Sequence, residues 1–335
     1  MTGRGTGIRM RHLRGLGILT ALAVTAAVLR ILIDRDTAGT IALAWPQPEY
    51  AWLRWTALAV GATVGASLAT SGVLLQALLR NPLASPFILG ITAGAGLGVM
   101  TAMYLGHVAG MRSTWTATSV TPALAGALAV MGVVYTLAQR RGWIDPVSLV
   151  LVGVIVSAIC GALIMLLQHL VPAGLHGEIT RWMMGRIPES TPTSSLVFAG
   201  GLSLAGIVIA MVMGRAMDAA TLGDDEARSV GLSLGPLRVW MFLLAGALTA
   251  GAVALCGPIG FVGLIAPHAA RLVLGPHHTP LVIGAAMAGV ILVVGADVAR
   301  QAIDLGTGRM PIGVFTALIG GPAFIWLLRT GRGQA

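Results

Sequence analysis

Gln76-Ala-Leu-Leu-Arg80-Asn81-Pro82-Leu83-Ala84-Ser85-Pro86 is a short polar knot inside a long apolar stretch that runs from Ser71 to Gly98. Pro82 and Pro86 cannot sit in a helix interior, because proline lacks the backbone donor and its ring crowds the preceding turn. The knot therefore reads as a tight reversal between two buried helices. A glycine-laced apolar run, Leu89-Gly90-Ile-Thr-Ala-Gly94-Ala-Gly96-Leu-Gly98, follows it.

The composition around this knot points to the same solvent throughout. Hydrophobic residues fill 56% of 335 positions, charged residues only 10%, and the mean hydropathy is +0.88. A soluble domain carries about 25% charged residues, so this chain is solvated mainly by lipid. Its 46 glycines agree, since glycine is commoner in membrane helices than in soluble ones. Cys160 and Cys256 stand alone in separate apolar stretches and indicate no disulfide framework. All 21 basic residues are arginine, against 12 acids, for a formal charge of +9. Without a lysine the chain has no Walker A loop and no Schiff-base chemistry. If ATP drives it, another chain binds the ATP.

Apolar runs long enough to cross about 30 Å of hydrocarbon number ten: 15–33, 57–79, 87–106, 118–138, 147–171, 193–213, 238–257, 259–275, 280–299 and 311–328. The segment 259–275, short and interrupted by Pro267, reads as broken or tilted. The expected fold is all-α, a polytopic membrane protein of about ten spans forming one transmembrane domain over 1–335. An even number of spans puts both termini on one side. With a cytoplasmic tail 1–14, Arg4, Arg9, Arg11, Arg14, Arg80, Arg140, Arg141, Arg215, Arg228, Arg238, Arg271, Arg329 and Arg332 face inward, 13 of the 21. That bias favours cytoplasmic termini in a cell membrane. The eight tryptophans fall at or near span ends, where the ring prefers the interface. The first run is long for a signal peptide and lacks a small-x-small cleavage site, so it reads as a retained helix.

The longest inward connection, 214–236, contains Leu222-Gly223-Asp224-Asp225-Glu226-Ala227-Arg228-Ser-Val-Gly231. Gly223 serves as an N-cap, three acids fill the first turn and complement the helix dipole, and Gly231 closes the segment. A helix of one to two turns is marginal alone in water, so it docks on something, either its own bundle or a partner. In Cys256-Gly-Pro-Ile-Gly-Phe-Val-Gly-Leu-Ile-Ala-Pro267-His268-Ala-Ala-Arg271, His268 and Arg271 share a helical face. No second ligand at metal spacing accompanies them, and a polar helix end explains both. Asp297 lies in an otherwise apolar run, a functional candidate by default, with Arg300 one turn away to form an internal ion pair. Small residues four apart, Gly61/Gly65 and Gly90/Gly94, allow close helix approach.

Taken in order, the knot, the 222–231 segment, the Gly260–Arg271 stretch, Ala296-Asp297-Val-Ala-Arg300 and Met310-Pro311-Ile-Gly313 resemble FecCD-type permeases. These are type II permeases of ABC importers for iron–siderophores, haem and cobalamin, and the resemblance runs from about Arg54 to Leu328. It implies a homodimer, two cytoplasmic ATPase chains, an external substrate-binding protein, and no cofactor, bound metal or nucleic acid. Residues 222–228 and Gly231 would be the coupling helix, Asn81 and Leu83 would stand near the cytoplasmic gate, and Arg54 and Arg300 would meet the binding protein. Pro267, His268, Arg271, Asp297, Pro311 and Gly313 match family motifs without an assigned role. The chain departs from the pattern at Arg309, where the family usually has glutamate, and at Trp52-Leu-Arg54-Trp55, where two arginines around a proline are usual. Iron–siderophore import is the expected task, with cobalamin or haem as the alternative. Two readings of other classes are an ion-coupled secondary transporter, for which only Asp297 and His169 offer coupling groups, and a non-transporting scaffold.

Overall fold

The computed structural model describes residues 3–35, 41–110, 120–140, 142–303 and 310–330. In chain order the helices are α1 (Gly3–Leu32), α2 (Pro48–Leu79), α3 (Ile91–Val108), α4 (Val120–Leu137), α5 (Pro146–Leu170), α6 (Ala173–Met183) and α7 (Thr193–Val212). After them come α8 (Gly214–Leu222), α9 (Asp224–Ser229), α10 (Leu234–Cys256), α11 (Val262–Leu274), α12 (His278–Ala302) and α13 (Ile312–Thr330). Two small antiparallel hairpins, Ile33–Arg35 with Ile41–Leu43 and Gln139–Arg140 with Trp143–Ile144, trim helix ends. The all-α expectation holds for everything that crosses the bundle.

Among the described residues, eight helices are long and apolar enough to cross a membrane, and two apolar helices are shorter, Val262–Leu274 and Ile312–Pro322. The ten expected runs are thus all helical, but α11 is a correction. Its 13 residues span only about 20 Å at 1.5 Å per residue, so it cannot cross alone. Residues 257–261 enter as irregular backbone instead, which is tolerated at membrane depth only when protein covers it. Here Gly257 N–H donates to Val253 O at 2.7 Å and Arg186 N–H to Cys256 O at 2.7 Å, so the turn is bound on both sides.

α2, α10 and α12 form the centre. In its most apolar window, 78% of α2 is buried inside the chain, against 22% for α4 and α7. The outer helices therefore present their apolar sides to lipid or to another subunit. Close approach at the centre depends on glycine. A Cβ on Gly65 would lie 2.3 Å from the Gly289 carbonyl oxygen of α12, and a Cβ on Gly289 would lie 2.1 Å from Gly65 O. Of the expected small-residue pairs, Gly65 and Gly94 make such contacts, the latter with Gly126 of α4.

Local signals set the element ends. Asp145 caps α5 by accepting from the Ser148 N–H at 2.8 Å, with Pro146 at the first helical position. The knot makes the expected reversal, but α3 begins only at Ile91 because Pro86–Leu89 form a 3₁₀ turn and Gly90 is left-handed. Trp182 is a further correction. It is buried at 4% exposure on α6, whereas Trp45, Trp52, Trp55, Trp143 and Trp240 are exposed. Trp115 and Arg309 lie outside the described residues.

Candidate functional site

One end of the bundle gathers the ends of α2, α8, α10, α11 and α12 around α9. The expected single helix of the 214–236 connection is two, α8 and α9, hinged at Gly223, whose φ of 148° suits glycine alone. Gly231, at φ 82°, closes α9: its N–H donates to Arg228 O at 2.9 Å and the Leu232 N–H to Ala227 O at 3.0 Å. These two bonds are a Schellman closure. α9 has two faces. Ala227 is fully buried, while Leu222, Asp225, Arg228 and Val230 are exposed, with Asp225 and Arg228 a loose ion pair at 4.0 Å.

Asp224, at the head of α9, turns inward between two arginines. Arg238 Nη2 of α10 donates to both carboxylate oxygens at 2.8 and 3.0 Å, and Arg80 pairs with Oδ1 from the other side. Partial burial opposes its charge, but the Arg238 and Arg80 hydrogen bonds outweigh this and hold its pKa below the usual aspartate value. Nearby, Asp218 of α8 takes the backbone N–H of His278 at 2.9 Å and pairs with its ring at 2.6 Å, tying α8 to the head of α12.

The knot beside α9 is held by a local side-chain bond. Asn81 Oδ1 accepts from the Leu83 N–H at 2.9 Å, an Asx turn, and Leu83 stands partly exposed at 41%. Gln76, buried at 3%, joins two sequence motifs. Pro267 has no N–H to offer the Gly263 carbonyl four residues earlier, and the Gln76 amide approaches that oxygen at 3.4 Å. Its carbonyl end accepts from Arg271. Arg271 thus braces α11 against α2. His268 stands half-buried on the same helix.

At the next level three separate motifs converge. A Cβ on Gly313 would lie 2.3 Å from Met184 O and 2.8 Å from Pro258 O, and the Ile312 N–H donates to Gly185 O at 3.2 Å. Pro311 opens this crossing, so the start of α13 is pinned to the irregular 257–261 segment.

The opposite end contains a buried charge cluster. Asp297 is 1% exposed and is gripped by Arg300 of its own helix and by Arg30 of α1. The expected internal pair is present, with a second arginine added. Arg300 is only 6% exposed, its guanidinium turned inward onto Asp297. Arg54 is half-buried, donating to Ile31 O at 2.6 Å, beside a cleft of about 430 Å³ lined by Arg30, Tyr50, Arg54, Glu189 and Gln301.

Comparison with known proteins matches the FecCD transport family model over residues 44–330. The chain belongs to the FecCD transport family. It is 33% identical over 297 residues to a hemin transport system permease of Yersinia pestis, covering 84% of each chain. A Fe(3+)-citrate import permease of Bacillus subtilis is 36% identical, with 84% of this chain and 81% of that one covered. A cobalamin import permease of Halobacterium salinarum is also 36% identical, over 83% of this chain and 72% of the relative. A solved metal-chelate type ABC transporter, in an inward-facing conformation, superposes with a TM-score of 0.82 at 29% identity, covering 95% of this chain and 99% of the other. The fold is that of a type II ABC importer permease.

In this FecCD permease residues 222–231, Asn81 and Leu83, and Arg271 all lie at one end, while Asp297, Arg300 and Arg54 lie at the other. Sequence reasoning missed Arg238, Gln76, Asp218 and Arg30 as members of these clusters. Their partners are 14, 187, 60 and 267 residues away respectively, beyond any helical spacing. One signal was available: an arginine, Arg80, standing where a helix must end before Asn-Pro.

Proposed function

We propose that this chain is the membrane permease subunit of an ATP-driven importer of a preformed iron chelate, paired with a second copy of itself in the cytoplasmic membrane. Two ATPase chains would sit on the α9 end and an external substrate-binding protein on the end carrying Arg54. The observation that supports this best is the two-faced α9. Its outer face offers Leu222, Asp225, Arg228 and Val230 to a partner, while Asp224 and Ala227 fasten it to the bundle.

The inward-facing end collects Arg80, Arg140, Arg228, Arg238 and Arg271, which supports placing it, with both termini, on the cytoplasmic side. Iron is favoured because two of the relatives carry it, as hemin and as ferric citrate, and the structural neighbour is of metal-chelate type. Among the described residues no three His, Cys, Asp or Glu side chains cluster as a ligand set, so the cargo would arrive with its own donors. Cobalamin is the second reading, supported by the Halobacterium relative. An ion-coupled mechanism is disfavoured, because Asp297, one of its two candidate coupling groups, is already engaged by two arginines.

The absorption spectrum of material co-purifying with the cognate binding protein separates these cargoes. A ferric-chelate or haem spectrum, with uptake into vesicles only when the ATPase chains and ATP are present, is the expected result. A corrinoid spectrum, or uptake by this chain alone, would overturn the iron reading or the ATP-driven reading respectively.

A further inference from the structure

Arg80 occupies a backbone position suited to glycine. Its φ of 47° and ψ of 37° are left-handed, and the closure of α2, Arg80 N–H to Ala77 O at 3.3 Å and Asn81 N–H to Gln76 O at 3.1 Å, makes it the residue that glycine fills in most helix ends of this type. A side chain kept in a strained backbone state points to a task for that side chain. Here its reach is directed entirely at the coupling segment. Nε donates to the Ala220 carbonyl of α8 at 2.7 Å, and a terminal nitrogen pairs with Asp224 of α9. Arg238 grips the same carboxylate from α10. One residue beyond Arg80 the chain enters the Asn81–Leu83 turn, and behind it stands α2, the most buried of the spans. The hinge at Gly223, the head of α10 and the entry to the turn therefore meet at one carboxylate.

We infer that Arg80 is a positioning residue for transport: a rigid strut that carries displacement of α9 into the Asn81–Leu83 turn. The inference rests on the reading of Leu222–Gly231 as the ATPase-docking element. A half-exposed ion pair adds little to folding, so stability does not explain why the strain is retained. A glycine at this position would close α2 more easily but remove the side-chain tie from α2 to Ala220 and Asp224.

The test uses the complex of this chain with its ATPase subunits, carrying an environment-sensitive thiol fluorophore at Leu83→Cys. Both native cysteines are buried, which confines the label. ATP with vanadate is expected to shift the emission in the parent complex. In Arg80→Gly the shift, normalised to ATP turnover, is expected to fall on the order of tenfold, within the usual range of coupling between sites. The melting temperature should hold or rise, because glycine relieves the backbone, so a folding defect cannot imitate the result. Arg80→Lys, which keeps the charge without the fork that reaches both Ala220 and Asp224, is expected to recover part of the shift. A full shift in Arg80→Gly, or none in the parent, overturns the strut. Arg228→Glu on the outer face separates the two ideas. If it blocks assembly with the ATPase chains while Arg80→Gly keeps its full shift, docking stands and the strut falls. If assembly and shift both survive Arg228→Glu, the docking reading falls and the strut with it.

Discussion

An aspartate held between two arginines occurs at both ends of this bundle, and the two copies do different work. Asp297, between Arg30 and Arg300, is 1% exposed, whereas Asp224, between Arg80 and Arg238, is 35% exposed. Taking charges out of water is costly, and a buried cluster tolerates no missing partner. A half-wet cluster tolerates loss, since water replaces the partner and screens the rest. The first cluster is therefore structural, fixing α1 against α12. The second contributes little to stability, which leaves its geometry available for the movement proposed for α9. The same three kinds of side chain thus form a lock in one dielectric and, on the proposal above, a linkage in the other.

Substitutions at the two clusters should separate these roles. Asp297→Ala leaves two buried guanidinium groups uncompensated and is expected to cost about 3–5 kcal/mol, seen as loss of folded protein in the membrane or a sharply lower melting temperature. If Asp297→Ala is as stable as the parent, the lock is misassigned. Next in size is the glycine crossing behind both clusters. Gly65→Ala puts a methyl group against the Gly289 backbone, and overpacking of about 1–3 kcal/mol is expected, read as a lower melting temperature with ATPase assembly intact.

Gln76→Leu would orphan the carbonyl that Pro267 leaves free, at a cost of about 1–3 kcal/mol, measurable in the same way. Smaller still is Arg238→Gln. It should change stability by about 0–1 kcal/mol yet lower uptake per ATP, the opposite pattern to Asp297→Ala.

The pH response sharpens the contrast. Asp224 has a folded-state pKa below its ordinary value of 3.8, because the two arginines outweigh its partial burial. Its contribution is therefore complete above 3.8 and is lost as pH falls through the lowered value. Coupling should be flat at neutral pH and decline only in strong acid, in uptake-per-ATP measurements across a pH series.

What the sequence showed and what it hid divide along the same line. Gly223 and Gly231 bound α9 through local backbone chemistry, so that helix was readable from ten residues. The knot was readable because proline acts on its own neighbours. The i,i+3 pair of Asp297 with Arg300 was readable from helical spacing, but Arg30 was not, since only the packing of α1 on α12 brings it there. That packing also buries Arg300 against Asp297. α11 appeared as a weak span because length and Pro267 are local facts. Its partner Gln76, which satisfies the carbonyl freed by that proline, belongs to a motif 187 residues earlier. Trp182 resembles an interfacial ring in sequence, but the packing of α6 on α3 buries it beside Gly96.

The most direct test of the account is the sidedness of α9, read by a membrane-impermeant thiol reagent on Asp225→Cys. Asp225 is 96% exposed and both native cysteines are buried, so the background is low. The expected result is no labelling in intact cells, ready labelling in inside-out vesicles, and protection there when the ATPase chains are bound. Labelling from outside intact cells would contradict the account, because a segment on the external face cannot receive force from ATP.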